Sequence, residues 1–330
     1  FEPFFHRIFY PTLVETNASR IAEVVGPDRF IEVGLRGTED NDKHLSAVKA
    51  MYIGGGIRNT SSDMAAAYYP QFNLVGTIGH RFIQSFKNED EAFRTAVEKL
   101  SAVTLLVDLN DTYEGIEKAL KLKKEYRTSG KKIWMRLDSG DLLAQCVYAL
   151  RRQGELGLED PILDKIVIEG LESIEELSGI EEKLKALRLT PQDIVLYGAG
   201  ALLGALNTSR NDVSSGFKLS RFAGRPTAKF SDSRGKESLP GVPLLGFVNG
   251  KRVVAQLGEP LRRTLFVPYY VDKKMTQPEN IDAARITAGL TYQEIKCAAQ
   301  AHEKTALSPR TSELLYALRP HHLMGEVIHA

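Results

Sequence analysis

The sequence predicts an α/β fold: an incomplete parallel βα barrel of about seven units, with a smaller α+β flanking region. Three observations carry this. Short β-rich runs alternate with helix-like stretches through the first two thirds of the chain. Several runs (TLLVDL, KIVIEG, DIVLYG) are apolar on both faces, as strands buried between two layers must be. The repetition runs to about seven units, which favours a barrel over an open sheet.

The β-rich runs are residues 29–35, a weak one near 56–59, then 72–75, 104–109, 132–137, 165–168 and 193–197. Helix-like stretches between or after them cover 42–52, 89–100, 113–127, 142–153 and 173–187. After Phe217 the pattern changes. FKLSRFAGRPTAKFSD and PLLGFVNGKRVVAQ read as hairpins turning at Ala223-Gly224 and Asn249-Gly250. Residues 278–330 read as helical, with helices at 281–290 and 292–302. The organisation read from this is the end of a preceding segment at 1–11, a barrel at 12–240 and an α+β region at 241–330. The chain opens FEPFFHRIFYP without Met, so an N-terminal domain is expected to be missing from it.

Composition excludes several classes of function. Of 330 residues 43% are apolar and 26% charged, with formal net charge +1. That is ordinary globular composition, without the basic excess that nucleic acid or a membrane surface wants. Two cysteines, Cys146 and Cys297, make no disulfide framework and point to a reducing, cytoplasmic setting. His44, His302 and the pair His321-His322 have no metal-ligand spacing, and no metal site is assigned.

In a parallel βα barrel chemistry sits where the strands end. The seven runs end on Gly34-Leu35-Arg36-Gly37, Asn59-Thr60-Ser61-Ser62, Gly76-Thr77-Ile78-Gly79-His80, Asp108, Arg136-Leu137-Asp138-Ser139-Gly140-Asp141, Glu169-Gly170 and Gly198-Ala199-Gly200. One mouth therefore gathers arginines, carboxylates, small hydroxyls and glycine turns with free amides. Such a mouth suits a phosphorylated sugar: amides and arginines grip phosphate, and carboxylates hold ribose hydroxyls or Mg²⁺. Each piece has a plainer reading. Asp138 or Ser139 could cap the next helix, as could Asp108, and Lys218 and Lys229 could be solvated charges. YGAGALLG is like a dinucleotide fingerprint, but no acidic residue ends a strand about 20 residues on.

The ordered motifs TNASRIAE, EVGLRG, YIGGGIRNTSS, GTIGHRFIQSF, LLVD, RLDSGD, IEGLES, YGAGALL and KLSRFAGRPTAKFSD resemble the nicotinate phosphoribosyltransferase family, type II phosphoribosyltransferases. The resemblance covers residues 8–250 well and is looser to the end. It implies transfer of phosphoribose from phosphoribosyl pyrophosphate to nicotinate, giving nicotinate mononucleotide and pyrophosphate for NAD synthesis. It also implies Mg²⁺, ATP as co-substrate through a phosphohistidine, and a homodimer with a shared active site. By this resemblance His80 is the phospho-acceptor, and Arg36 pairs with the nicotinate carboxylate beside Ser61. Arg136 and Asp138 contact ribose and pyrophosphate. Gly170, Gly198 and Gly200 cradle the 5′-phosphate, and Lys218 and Lys229 lie near nucleotide phosphates. Thr77, Asp108 and Ser139 complete the expected substrate-binding set. Val33 stands where the family has an aromatic residue, and Gly37 where it repeats arginine. A transferase for another base such as nicotinamide, or a non-catalytic relative that binds phosphoribosyl ligands, are the alternatives.

Overall fold

The apolar runs form parallel strands in a computed structural model of the chain. The structure describes residues 2–38, 40–189, 194–200, 218–230, 238–249, 251–264, 270–271, 274–275, 282, 285 and 305–318. Contacts divide the chain into two compact units, residues 8–209, and residues 1–7 with 210–330. Helix α1, Glu2–Val25, runs without a break past residue 11, where the sequence reading ends its first segment.

The unit of residues 8–209 holds β1 (Phe30–Glu32), β2 (Asn59–Thr60), β3 (Asn73–Leu74), β4 (Ala102–Leu106), β5 (Lys132–Leu137), β6 (Ile166–Ile168) and β7 (Val195–Gly198). They pair in parallel in the order β3-β2-β1-β7-β6-β5-β4. That is the cyclic order of a seven-stranded barrel opened between β3 and β4, a half-barrel as expected. Across the seam the amide of Ile78 donates to the Thr104 carbonyl at 3.1 Å, so the GTIGH turn spans the gap. β1, β6 and β7 are buried at every position. β1 is shorter than its apolar run because Gly34 turns the chain into a 3₁₀ turn at Leu35–Gly37.

Between the strands run α2 (Asn41–Gly55), α3 (Asp63–Tyr68), α4 (His80–Gln84), α5 (Glu89–Lys99), α6 (Thr112–Glu125), α7 (Leu142–Glu155) and α8 (Ile174–Ala186). Side chains of Asp40, Ser62, Asn88, Asp111, Asp141 and Ser173 accept from an amide in the first turn of α2, α3, α5, α6, α7 and α8 respectively. Two of these caps decide the plainer readings above. Asp111, not Asp108, caps α6, and Asp141, not Asp138 or Ser139, caps α7. Asp108, Asp138 and Ser139 are thereby released for the barrel mouth.

In the other unit β8 (Arg221–Phe222) and β9 (Arg225–Pro226) form a hairpin that turns through Ala223 and Gly224 at positive φ, as the sequence predicts. The sequence alone groups this hairpin with the barrel. β10 (Pro243–Val248) and β11 (Lys251–Gln256) pair antiparallel, turning at Asn249 with φ 50°. β12 (Arg263–Thr264) joins β10, and β15 (Ala306–Leu307) joins β11. A separate pair, β13 (Tyr270–Val271) and β14 (Lys274–Met275), completes the described strands. Helix α9, Pro309–Leu318, follows β15. The helices read at 281–290 and 292–302 lie outside the described residues except Asp282 and Arg285. Among the described residues no helix is long and apolar enough to cross a membrane.

Candidate functional site

The two-residue period of a strand decides what the barrel holds inside. Ile31 of β1, Val167 of β6 and Leu196 of β7 form a buried cluster, with Val33, Val75 and Trp134 packed against it. The residues two further on point the same way. From β5 these are Arg136 and then Asp138; from β6, Glu169; from β7, Gly198 and then Gly200. The pairing Leu137 with Ile168 and Ile168 with Tyr197 puts Asp138, Glu169 and Gly198 at one level, one residue further along. A polar layer thus rests on an apolar plug.

Arg136 is the hub of this layer. Its guanidinium donates to Thr77 Oγ1 at 2.9 Å, and one nitrogen lies 2.9 Å from Asp138 Oδ2 and 2.8 Å from Glu169 Oε2. Its Nε is buried with no hydrogen-bond partner. The Asp108 side chain is 3% exposed, and Ser139 Oγ donates to Asp108 Oδ2 at 2.6 Å. The other oxygen, Oδ1, lies 3.2 Å from His80 Nε2, but off the line of a hydrogen bond. His80 itself opens α4 and is half exposed. The structure therefore brings together His80, Thr77, Asp108, Arg136, Asp138 and Ser139.

A recess beside this cluster is lined by Val33, Arg36, Asp138, Glu169 and the glycines Gly34, Gly37, Gly170, Gly198 and Gly200, with Leu171 and Ala199. Arg36 sits on the 3₁₀ turn after β1. Buried Glu32 anchors that turn: its carboxylate accepts from the Gly34 amide and from Thr60 Oγ1, the latter at 2.7 Å. Ser61 is exposed at the end of β2, its amide donating to the Glu32 carbonyl at 2.8 Å. It does not line the recess.

Two glycines are steric necessities. Gly170 has φ 74°, and a Cβ there would lie 2.2 Å from the Asp138 carbonyl oxygen. A Cβ on Gly200 would lie 2.4 Å from the Gly34 Cα, so the end of β7 and the Arg36 turn touch backbone to backbone. Lys218 and Lys229 are exposed and belong to the other unit, not to the strand ends.

Glu169 is the site residue that sequence reasoning does not single out. It is 5% exposed and stands against Gly198, where a Cβ would approach its Cγ to 2.8 Å. Burial pushes its carboxyl up to about 7; Arg136 and Arg36 pull it down, and Asp138 and Asp108 push it up. The signal was present in KIVIEG, where Glu169 follows Val167 at strand period.

Comparisons with known proteins agree with this architecture. No family model matches the chain. The fold is that of the crystal structure of human nicotinic acid phosphoribosyltransferase, with TM-score 0.64 and 18% identity over 94% of this chain and 74% of that one. Among curated relatives, nicotinate phosphoribosyltransferase of Bacillus subtilis is 32% identical over 152 residues, 46% of this chain and 31% of its own length. Mycobacterium tuberculosis pncB2, also a nicotinate phosphoribosyltransferase, is 28% identical over 72% of this chain and 48% of its own. The Homo sapiens enzyme is 26% identical over 71% and 52%. The chain spans about half or less of the length of these relatives. The fold and its strand ends define an α/β half-barrel with a polar mouth. The relatives that the chain resembles in sequence are nicotinate phosphoribosyltransferases.

Proposed function

We propose that the protein transfers phosphoribose from phosphoribosyl pyrophosphate to nicotinate, forming nicotinate mononucleotide and pyrophosphate in NAD biosynthesis. The observation that carries this is the single recess shared by Arg36, Asp138 and the glycines of β6 and β7, beside Arg136. It offers a guanidinium for a carboxylate and glycine backbone that a phosphate can approach closely. The names of the relatives supply the base and the donor class.

In this reading Gly170, Gly198 and Gly200 let backbone approach the 5′-phosphate, and Asp138 holds ribose hydroxyls. Arg136 and Thr77 face the pyrophosphate. The anomeric C–O bond breaks ahead of attack by the pyridine nitrogen, whose lone pair forms the new C–N bond. Pyrophosphate leaves with the bonding electrons, and no base is needed. Fixed charges around the mouth would supply most of the rate. Among the described residues no group of three or more His, Cys, Asp or Glu is arranged around a metal. Mg²⁺ is therefore expected to arrive on the diphosphate, as it commonly does, and no residue is assigned to it.

Arg36→Ala is expected to raise the KM for nicotinate by about tenfold or more, and that for phosphoribosyl pyrophosphate far less. Steady-state kinetics with each substrate varied decides this. Equal effects on both would remove Arg36 from the base site, and no product from nicotinate or nicotinamide would leave only a binding role for the protein.

ATP coupling through His80 is the finer part of the proposal. With Asp108 Oδ1 3.2 Å from Nε2, Nδ1 is the nitrogen that would accept the phosphoryl group in this reading. His80→Ala is expected to keep weak synthesis and to lose its stimulation by ATP. Full ATP stimulation of that variant would exclude the phosphohistidine. A homodimer sharing the site, with Lys218 and Lys229 reaching the nucleotide phosphates, belongs to the same proposal.

A further inference from the structure

The charge of the mouth does not match an anion-binding site as it stands. Two carboxylates, Asp138 and Asp108, act on a third, Glu169, there, against two guanidinium groups, Arg136 and Arg36. A diphosphate ester would enter a pocket already negative. The excess lies in Glu169. Asp108 is engaged by Ser139, and Asp138 stands at the ligand-facing end of β5. Glu169 instead places Oε2 2.8 Å from the same Arg136 nitrogen that Asp138 approaches. It is held among the recess glycines with Gly198 leaving room for its stem.

We propose that Glu169 is a built-in stand-in for a substrate phosphate: ionised, it neutralises Arg136 while the site is empty, and it takes up a proton when a phosphate-bearing ligand engages that arginine. This rests on the reading of the mouth as a phosphoribosyl site and names the residue that regulates its occupancy. Burial predisposes Glu169 to the change, since its carboxyl already sits near neutrality. The proton comes from solvent and goes to the Glu169 carboxylate; no other bond changes. The charged groups acting on Glu169 are Arg136 and Asp138 from the β5 end, Asp108 from the β4 end and Arg36 from the turn after β1. From β7 Gly198 stands against it, and His80 stands beyond Asp108.

The test is calorimetric titration of the full chain with inorganic pyrophosphate and with phosphoribosyl pyrophosphate, slightly above neutral pH, in buffers of different ionisation enthalpy. Protons taken up by the ligand itself cancel between wild type and Glu169→Gln. Wild type is expected to take up more protons than Glu169→Gln, by a sizeable fraction of one, and Glu169→Gln to bind at least as tightly. Equal uptake in the two proteins, or clearly weaker binding by Glu169→Gln, overturns the role of Glu169 alone. No binding of either ligand by wild type overturns the phosphoribosyl reading and this inference with it. Sulfate, which carries no titrating proton near neutrality, tests the wild type without any variant. Its affinity is expected to fall by up to about tenfold per pH unit above neutral pH. A sulfate affinity independent of pH across neutrality overturns the proposal.

Discussion

Arg136→Ala is expected to lower kcat/KM for mononucleotide synthesis by about a thousandfold or more, the scale of losing a principal charge that stabilises a transition state. The side chain joins three elements of the mouth at once: Thr77 after β3, Asp138 at the end of β5 and Glu169 at the end of β6. Its removal leaves Asp138 and Glu169 facing each other across an empty position. Breaking a buried ion pair from one side commonly costs about 3–5 kcal/mol, because a charge is left without a partner. Here Glu169 can relieve part of that cost by holding a proton, since burial already pushes it up to about 7. The stability loss is therefore expected to be larger at pH 8 than at pH 6. Below neutrality Glu169 is protonated and asks for no cation; above it the carboxylate must be ionised and unpaired or keep its proton against the solvent. Urea unfolding of both proteins at the two pH values, with steady-state assays alongside, measures each part. Arg136→Lys keeps the charge but not the planar fork, and should recover little of the rate. Activity of Arg136→Ala within about tenfold of wild type would remove Arg136 from the catalytic machinery.

Gly170→Ala has the second largest expected effect. A β-carbon there meets two obstacles: φ of 74°, and the Asp138 carbonyl oxygen 2.2 Å away. The first costs about 1 kcal/mol. The second cannot be relieved by turning a side chain, because the obstacle is backbone. The end of β5 must shift, and Asp138 and the Arg136 contact shift with it. Displacement by about 1 Å at a reacting centre commonly costs about a hundredfold in rate. Gly26→Ala is the control: its φ is 83° and nothing lies within 4 Å of the added carbon. Both variants should lose stability from backbone strain, and only Gly170→Ala should lose kcat/KM. Equal activity in the two would show that the approach of Gly170 to Asp138 has no bearing on catalysis.

Much of the barrel was legible along the chain. All seven runs became strands at or within a few residues of their expected places, and the helices between them followed. The reason is local: runs such as KIVIEG are apolar on both faces, and only a strand covered on both sides buries them fully. The helix starts were less legible. RLDSGD offers two aspartates and a serine as caps, and DLND offers two aspartates. Which one caps depends on where the first helical amide falls, and three residues of chain decide it.

The sequence by itself determined that this protein is a parallel βα barrel and which residue types crown its strands, since strand period and apolar runs are properties of neighbours along the chain. Tertiary structure decided which of those residues meet. Thr77 and Arg136 are 59 positions apart, yet one donates to the other because the turn after β3 crosses the open seam of the barrel. Glu169 became a member of the site because register sets it level with Asp138 and Gly198, and because burial changes its affinity for a proton. Both depend on the tertiary fold: the chain curls the turn after β3 back towards β4, and parallel pairing sets the ends of β5, β6 and β7 side by side and buries Glu169 between them.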